Sequence, residues 1–501
     1  MLAQPGRERA SGALASGMIP LGLVLAAIVA SRIVMAAATD FPINDGALFY
    51  EFVRATSATF PSLPATIDFN GFSLPFAYPP LSFWVGALLT RMGFDALGVV
   101  HVVPILLNIV YLLLIAGLLL RSGWSRLFVA LMLLFLCTRL ASFAWLTAGG
   151  GLSRGFGSIF FVLALLAVGL PKPRQRFDVP HPRMILAGAM VGGAVLSHLE
   201  WGSLAAASVV LARTFGARSL KQFIIDSLLA GLTAILIVTP WFLTIYSTHG
   251  IEPFLRASAS SAWHVSKSVL KTVELVRSGI ANPFIAVGFV VLLVRRDYFW
   301  IAFVLLCTFV TPRQSPTPVA LSMSIFAAQG VLTSWEILRQ SIRRNGVALA
   351  AVAGVLTLII AVNAYRDFTR SNALYRPLRP ELREAMRWVA QNHAGAQFAV
   401  INARPWASDS SAEWLPVLGR VTNTTTVQGR EWLPSPIFVQ SEALADEAKE
   451  SETCADLTSR FGRFGRPEFV WTEMMPECFA PPRYELVYRN ERVSIFKIRR
   501  T

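Results

Sequence analysis

Charge is scarce in this 501-residue chain: Asp, Glu, Lys and Arg make up only 15% of it, where globular proteins carry roughly 25%. With 54% hydrophobic residues and a mean hydropathy of +0.53, that excludes an ordinary soluble protein and a disordered one. Only four cysteines are present, none in a metal-type spacing, which excludes a small disulfide scaffold and a zinc-ribbon type of site. No collagen-like period and no internal repeat occurs beyond two Glu-Trp-Leu triplets, at 413–415 and 431–433. What the chain does have is apolar runs, at 19–38, 99–120 and 348–362 among others. About 20 apolar residues span a bilayer, so the composition predicts an α-helical polytopic membrane protein.

Acidic residues are the scarcer sign, which leaves a formal net charge of +15. Of the 45 Lys and Arg, 19 fall in 364–501 beside 17 of the 30 acids, leaving 26 basic residues against 13 acids elsewhere. Sixteen of those 26 form six patches: Arg7/Arg9, Arg121/Arg126, Lys172/Arg174/Arg176/Arg183, Arg213/Arg218/Lys221, Arg295/Arg296 and Arg339/Arg343/Arg344. Basic residues in short loops stay cytoplasmic, so the excess is a topology signal directed at anionic membrane lipids. Nucleic acid is not expected as a partner, because aromatics do not interleave with the patches. Placing all six inside gives spans near 18–38, 98–120, 127–147, 156–170, 184–199, 202–213, 222–246, 280–294, 298–311, 319–338 and 347–363. These eleven crossings run from a cytoplasmic amino terminus to an outer carboxy terminus in the cytoplasmic membrane. The first span lacks a small-residue cleavage pattern, and Arg32 and Met35 follow instead, so it is expected to be retained.

The outer side then receives loops at 39–97, 148–155, 247–279 and 312–318. The first is too long for a simple connection, and Leu48, Phe49, Phe52 and Val53 have helical spacing within it. Tyr78-Pro79-Pro80 opens a second helix over 81–92, with proline where a helix start tolerates it. Leu81, Trp84, Val85, Leu88 and Leu89 form its apolar stripe, which suits a helix lying at the interface. From 376 to 501 the texture becomes that of a small extracytoplasmic α/β domain appended to a transmembrane domain at 1–375. It reads as helices over 380–393 and 443–461, a strand at 398–401, and a hairpin pairing 484–488 with 493–498. Cys454 and Cys478 both lie in this tail, and an oxidising compartment makes them a disulfide pair. Cys137 and Cys307 lie in spans as packing residues.

Several residues have the chemistry of a site. Asp45 follows the first span directly, and a carboxylate beside an apolar surface is either a general base or the cap of the helix that follows. Asp40 is a second candidate, or simply the end of the span. In Gly149-Gly150-Gly151-Leu152-Ser153-Arg154-Gly155, Gly150, Gly151 and Ser153 offer convergent amides and a hydroxyl, and Arg154 a full charge. That pattern holds an anionic phosphate, unless it is a closely packed helix break. Arg313 is similarly placed before a span, as an anion ligand or a snorkelling arginine. Ser197-His198-Leu199-Glu200 ends another span, where ionisable residues commonly have a function. His198 and Glu200 either orient a phosphate or hydroxyl, bind a divalent cation, or form an interfacial hydrogen-bond pair. His264 is a weaker candidate of the same kind, with surface exposure as its alternative.

Asp45-Gly46-Ala47-Leu48-Phe49-Tyr50, Tyr78-Pro79-Pro80-Leu81, 149–155 and 197–200 together resemble the GT-C class of membrane glycosyltransferases. Protein mannosyltransferases and lipid A aminoarabinose transferases belong to that class. The motifs are more closely similar to a group of bacterial integral membrane proteins related to it. Glu413-Trp414-Leu415-Pro416, Gly419-Arg420 and Gln428-Gly429-Arg430-Glu431-Trp432-Leu433 match the tail of that group. The resemblance implies a hexosyl- or pentosyltransferase using a polyprenyl-phosphate-linked sugar, with transfer on the outer face and no nucleotide-sugar motif. Asp45 matches the first-loop catalytic carboxylate, although Gly46 stands where the mannosyltransferases have an adjacent Glu.

In that chemistry Asp45 takes the acceptor hydroxyl's proton while the oxygen attacks the anomeric carbon in line, with inversion. The leaving lipid phosphate needs charge stabilisation more than a general acid. Arg154, the glycine amides and Arg313 are candidates to supply it, and Tyr78 joins this substrate-binding set. Trp414 and Trp432 either stack on an acceptor sugar or belong to the tail's core. No cofactor is required, with a divalent cation as the alternative. The rival readings are a flippase of lipid-linked sugars, which calls for charges at mid-membrane, and a non-catalytic scaffold. Labelling of introduced cysteines from outside the cell is expected to reach 247–279 and spare 172–183; the opposite pattern overturns the topology.

Overall fold

The computed structural model describes residues 14–341 apart from 139, 173, 174, 281, 312 and 314. In the C-terminal part it describes 354, 362, 365, 378–402, 404–434, 437–449, 453–455 and 466–499. Apolar runs become helices because a helix pairs its own backbone polar groups where no water can. Helix α1 (Leu14–Ala38) leads into the 39–97 segment, which holds α2 (Gly46–Thr59), a hairpin of β1 (Thr66–Phe69) and β2 (Phe72–Pro75), and α3 (Leu81–Arg91). The bundle continues through α4 (Ala96–Arg121), α5 (Arg126–Cys137), α6 (Ala144–Thr147), α7 (Gly151–Val168), α8 (His181–Ser197) and α9 (Leu199–Gly216). It closes with α10 (Leu220–His249), α11 (Glu252–Ile280), α12 (Pro283–Val294), α13 (Tyr298–Val310) and α14 (Pro316–Ser341). The tail contributes α15 (Pro380–Asn392), β3 (Gln397–Ile401), α16 (Ser410–Leu418), β4 (Thr422–Asn423) and α17 (Ile437–Lys449). Strands β5 (Phe469–Thr472), β6 (Tyr484–Arg489) and β7 (Ser494–Ile498) complete it.

Among the described residues, four helical segments are long and apolar enough to cross a membrane: Pro20–Ala38, Ala96–Arg121, Gly151–Val168 and Leu220–His249. The expected crossings at 127–147, 280–294 and 298–311 differ. Their apolar helices α5, α12 and α13 have 12, 12 and 13 residues, about 18–20 Å at 1.5 Å per residue, against a hydrocarbon core of about 30 Å. In the first case α5 stops at Cys137 and a 3-10 turn over Leu140–Phe143 intervenes before α6. The 347–363 span lies outside the described residues except for 354 and 362. The 247–279 loop is instead largely the helix α11, separated from α10 by a turn at Gly250 with φ of 68°.

Two large cores organise the chain. One fills the bundle with residues such as Leu133, Phe161, Trp201, Phe303 and Phe326. The other is shared between the 39–97 segment and the tail: Phe49, Phe52 and Phe83 belong to the same cluster as Leu382, Trp414 and Trp471. The tail's five-stranded sheet has the order β4-β3-β5-β7-β6, with β3 parallel to β4 and β5, and β7 antiparallel to β5 and β6. The hairpin β1–β2 turns on Asn70 and Gly71, both at positive φ, the pair that a two-residue hairpin turn favours. Asn70 also ties the hairpin to the sheet edge: its side chain donates to the Asn423 carbonyl at 2.9 Å and accepts from the Asn423 amide at 2.6 Å.

Helix α3 buries Ser82, Phe83, Gly86 and Ala87, while none of the stripe residues Leu81, Trp84, Val85, Leu88 and Leu89 is buried. Small residues let α3 approach α2 closely, since a Cβ at Gly86 would lie 2.9 Å from Val53. One local expectation is corrected. The helix expected over 443–461 begins earlier, at Ile437, and is described to Lys449. Cys454 and Cys478 are joined by a disulfide.

Candidate active site

The site is built on the turn between α1 and α2. Asn44 and Asp45 both adopt the left-handed conformation, with φ of 63° and 71°. That costs about 1–2 kcal/mol per residue, least for Asn and Asp, and persists only where the surroundings hold it. Here they hold it from two sides. The Gly149 amide donates to the Ile43 carbonyl at 3.0 Å, and the Gly150 amide to the Asn44 carbonyl at 2.8 Å. From the tail, Glu413 accepts from the Asn44 amide at 2.7 Å and from the Ala47 amide at 3.3 Å. Trp414 Nε1 donates to the Pro42 carbonyl at 2.9 Å.

This arrangement explains the triglycine. A Cβ on Gly149 would sit 2.1 Å from the Gly46 Cα, and one on Gly150 would sit 2.2 Å from Arg154 Nη1. Two backbones meet here with no room for side chains. The expected anion cradle is therefore corrected. The Gly149 and Gly150 amides are engaged by the Asp45 turn, and that of Gly151 donates to the Ala148 carbonyl at 2.9 Å. The capping alternative for Asp45 is excluded too: its side chain makes no cap bond to α2. Instead its Oδ2 pairs with Arg154 Nη2 at 3.1 Å.

Arg154 lies in the first turns of α7, 4% exposed, with its guanidinium 4.9 Å from the Trp145 ring centroid. Its Nε and Nη1 have no hydrogen-bond partner among the described residues. Unmet donors on a buried cation are costly. Ser153 hydrogen-bonds the Tyr78 hydroxyl at 3.3 Å. Tyr78 packs edge-on to His198, ring centroids 6.3 Å apart, and to Trp432 at 5.8 Å. Burial pushes the Tyr78 phenol up to about 12, against the opposing Arg154 charge, so it serves as a hydroxyl rather than a phenolate. His198 is buried between α8 and α9, its Nδ1 without a partner among the described residues. Both Arg154 and Arg313 are within electrostatic reach of it. Arg313 Nε lies 4.0 Å from Glu200 Oε1. Tyr78, Ser153, Arg154, His198, Glu200 and Arg313 thus form one neighbourhood with Asp45.

Two carboxylates that sequence reasoning left without a role also belong here. Glu413 is fully buried; burial, then the Asp45 charge, push its carboxyl up to about 8, opposed by the amides it accepts from. Glu431, within electrostatic reach of Asp45, Tyr78 and Arg313, is raised to about 7, first by burial and then by Asp45. In the sequence they were marked by the two Glu-Trp-Leu triplets and by the tail motifs that carry the resemblance, neither of which gave them a role. Asp40 is occupied elsewhere: its Oδ1 accepts from the Leu378 amide at 2.8 Å, and its Oδ2 lies 3.4 Å from Arg383. Trp414 and Trp432 are buried, which removes them as open stacking platforms. The side chain of His264 lies outside the described residues. No group of three or more His, Cys, Asp or Glu gathers as a metal site among the described residues; Asp45 and Glu200 face Arg154 and Arg313.

Two outcomes follow from this geometry. Gly149→Ala forces the Asp45 turn and α7 apart, and is expected to lower stability by about 3 kcal/mol, measured as a fall in Tm in detergent. Asp409, the buried cap of α16, is raised to about 6, first by burial and then by the Glu473 charge. With Glu413 at about 8 and Glu431 at about 7, all three hold protons more tightly when folded than ordinary carboxyls, at about 4. Their stabilising contribution is complete below about pH 4 and is lost as pH rises through 6 to 8. Tm is therefore expected to fall across that window, and Glu413→Gln to flatten its upper part.

No protein-family model matches this chain, and no curated protein sequence is similar to it. Solved structures are. A crystal structure of ArnT from Cupriavidus metallidurans in the apo state aligns over 96% of this chain and 98% of its own, at 16% identity and a TM-score of 0.55. The same protein bound to undecaprenyl phosphate aligns over 95% and 98%, at 14% identity and a TM-score of 0.54. The apo Archaeoglobus fulgidus oligosaccharyltransferase aligns over 91% of this chain and 69% of its own, at 13% identity and a TM-score of 0.52. At these identities the likeness is one of fold, and with its apolar helices it makes this an integral membrane protein. The chain has the GT-C fold, the architecture of these membrane glycosyltransferases.

Proposed function

We propose that this protein is a glycosyltransferase that moves a sugar from a polyprenyl-phosphate donor to an acceptor hydroxyl, with Asp45 as general base. The observation that carries the reading is the Asp45–Arg154 pair at 3.1 Å, in which a buried guanidinium retains two donors without partners. The fold supports it, because ArnT, which shares that fold, has been crystallised with undecaprenyl phosphate.

The donor's phosphate binds Arg154 through Nε and Nη1 and competes with Asp45 for the guanidinium. That frees a carboxylate oxygen to accept the proton of the incoming hydroxyl. The hydroxyl oxygen forms a bond to the anomeric carbon as the bond from that carbon to the phosphate oxygen breaks, in line and with inversion. The electron pair leaves with the lipid phosphate, whose charge Arg154 stabilises with Arg313 as a second cation. Tyr78 and Ser153 orient the phosphate or a sugar hydroxyl, and His198 and Glu200 line the same side. The prenyl chain lies in the bilayer beside the bundle. The site faces the extracytoplasmic side, a placement supported by the basic patches and by a disulfide in the tail. The tail, 376–501, then forms the outer part of the enzyme.

A general base contributes typically 10²–10⁴-fold. Reconstituted protein is expected to transfer or hydrolyse a polyprenyl-phosphate sugar, and Asp45→Asn to lower that rate at least about 100-fold with expression and Tm retained. A fully active Asn variant removes Asp45 as base.

A further inference from the structure

We infer that Glu413, from the tail, is a positioning residue for Asp45: it clamps the left-handed turn that aims the Asp45 carboxylate at Arg154. The inference rests on the reading of Asp45 as base and adds to it a side chain 369 positions away from Asn44 in sequence.

Glu413 is 0% exposed, in the first turn of α16. Its partners are N–H donors: the backbone amides of Asn44 at 2.7 Å and Ala47 at 3.3 Å, and the side-chain amide of Gln428 at 3.3 Å. A carboxyl group buried close to the Asp45 carboxylate is a costly choice for a packing position. An apolar side chain there would serve a core better. The geometry supplies the reason for it. The first amides of α2 have no intrahelical partner, and with Asn44 and Asp45 both left-handed the amides of Asn44 and Ala47 donate to the same carboxyl group. One carboxylate bridging Asn44 and Ala47 spans the whole strained turn. The bundle grips the carbonyls of that turn through Gly149 and Gly150, and Glu413 grips its amides. Removing Glu413 leaves the amides of the turn unheld, with Trp414 still bound to the Pro42 carbonyl, so the turn can relax toward the right-handed region. The Cβ of Asp45 then swings away from Arg154. The hydrogen bonds of Glu413 go to Asn44, Ala47 and Gln428 and not to Arg154, Ser153 or Tyr78, so its loss acts through Asp45 rather than by removing a donor ligand.

The test compares wild type, Glu413→Ala and Glu413→Gln in the full-length reconstituted protein, by hydrogen exchange and by kinetics with a polyprenyl-phosphate sugar. Gln keeps one oxygen acceptor and fills the same space, so it stands in if the Ala variant fails to fold. Exchange of peptides covering 43–48 is expected to rise at least tenfold in the Ala variant and less in Gln, while the strand at 469–472 stays protected in both. Misplacing a catalytic group by about 1 Å can cost 100-fold. The kcat of the Ala variant is accordingly expected to fall about 100-fold with the donor KM unchanged or lowered, since Asp45 then competes less for Arg154, and Gln to recover about tenfold of the lost kcat. Unchanged exchange at 43–48, or an Ala variant that retains wild-type kcat, overturns the clamp; so does a loss carried by KM alone. A wild-type protein inactive on every donor defeats the proposed function instead, and the exchange measurement still decides the clamp.

Discussion

The structure depends on one strained turn. Asn44 and Asp45 lie in backbone conformations that side chains disfavour, and they stay there because hydrogen bonds from two distant parts of the chain leave no alternative. A carboxylate projected from such a turn has a direction set by backbone geometry rather than by its own flexible torsions. This is preorganisation in a literal sense: the ordering cost is met on folding, before any substrate arrives.

The turn in turn requires the second core. Aromatic residues of the 39–97 segment and of the tail pack into one cluster, so the tail is integrated with the segment that carries Asp45. Phe41 lies edge-on to Trp414, ring centroids 5.1 Å apart, and Asp40 tethers the chain at Leu378 and Arg383. Burial on this scale brings Glu413 within hydrogen-bond distance of α2 and excludes water from the bonds it makes. In a wet interface, amides and carboxylate would exchange those bonds for water at little net gain.

Much of this was legible in the sequence where chemistry is local. Apolar runs announced the helices, the change of texture after 376 announced a sheet, and an acid directly after α1 announced Asp45. An arginine after three glycines announced Arg154, but the glycines were misread. Glycine permits convergent amides and close backbone contact equally well, and only the partner decides which. On α3 the stripe read from the sequence is the face left unburied, while Phe83 and small residues make the contact. The Asn70-Gly71 hairpin carried a turn signal that was there to be read.

By itself, the sequence determined that the chain enters a membrane, that its basic residues gather in patches between apolar runs, and that an aspartate and an arginine stand close to the ends of such runs. These follow from hydropathy, charge and covalent neighbourhood. The tertiary structure alone decided that Asp45 and Arg154 pair, that the triglycine joins two backbones, and that Glu413 closes the turn. Those contacts link positions about a hundred or several hundred residues apart. No periodicity encodes such pairs, because they arise only when separate hydrophobic faces choose one another and dry the space between them.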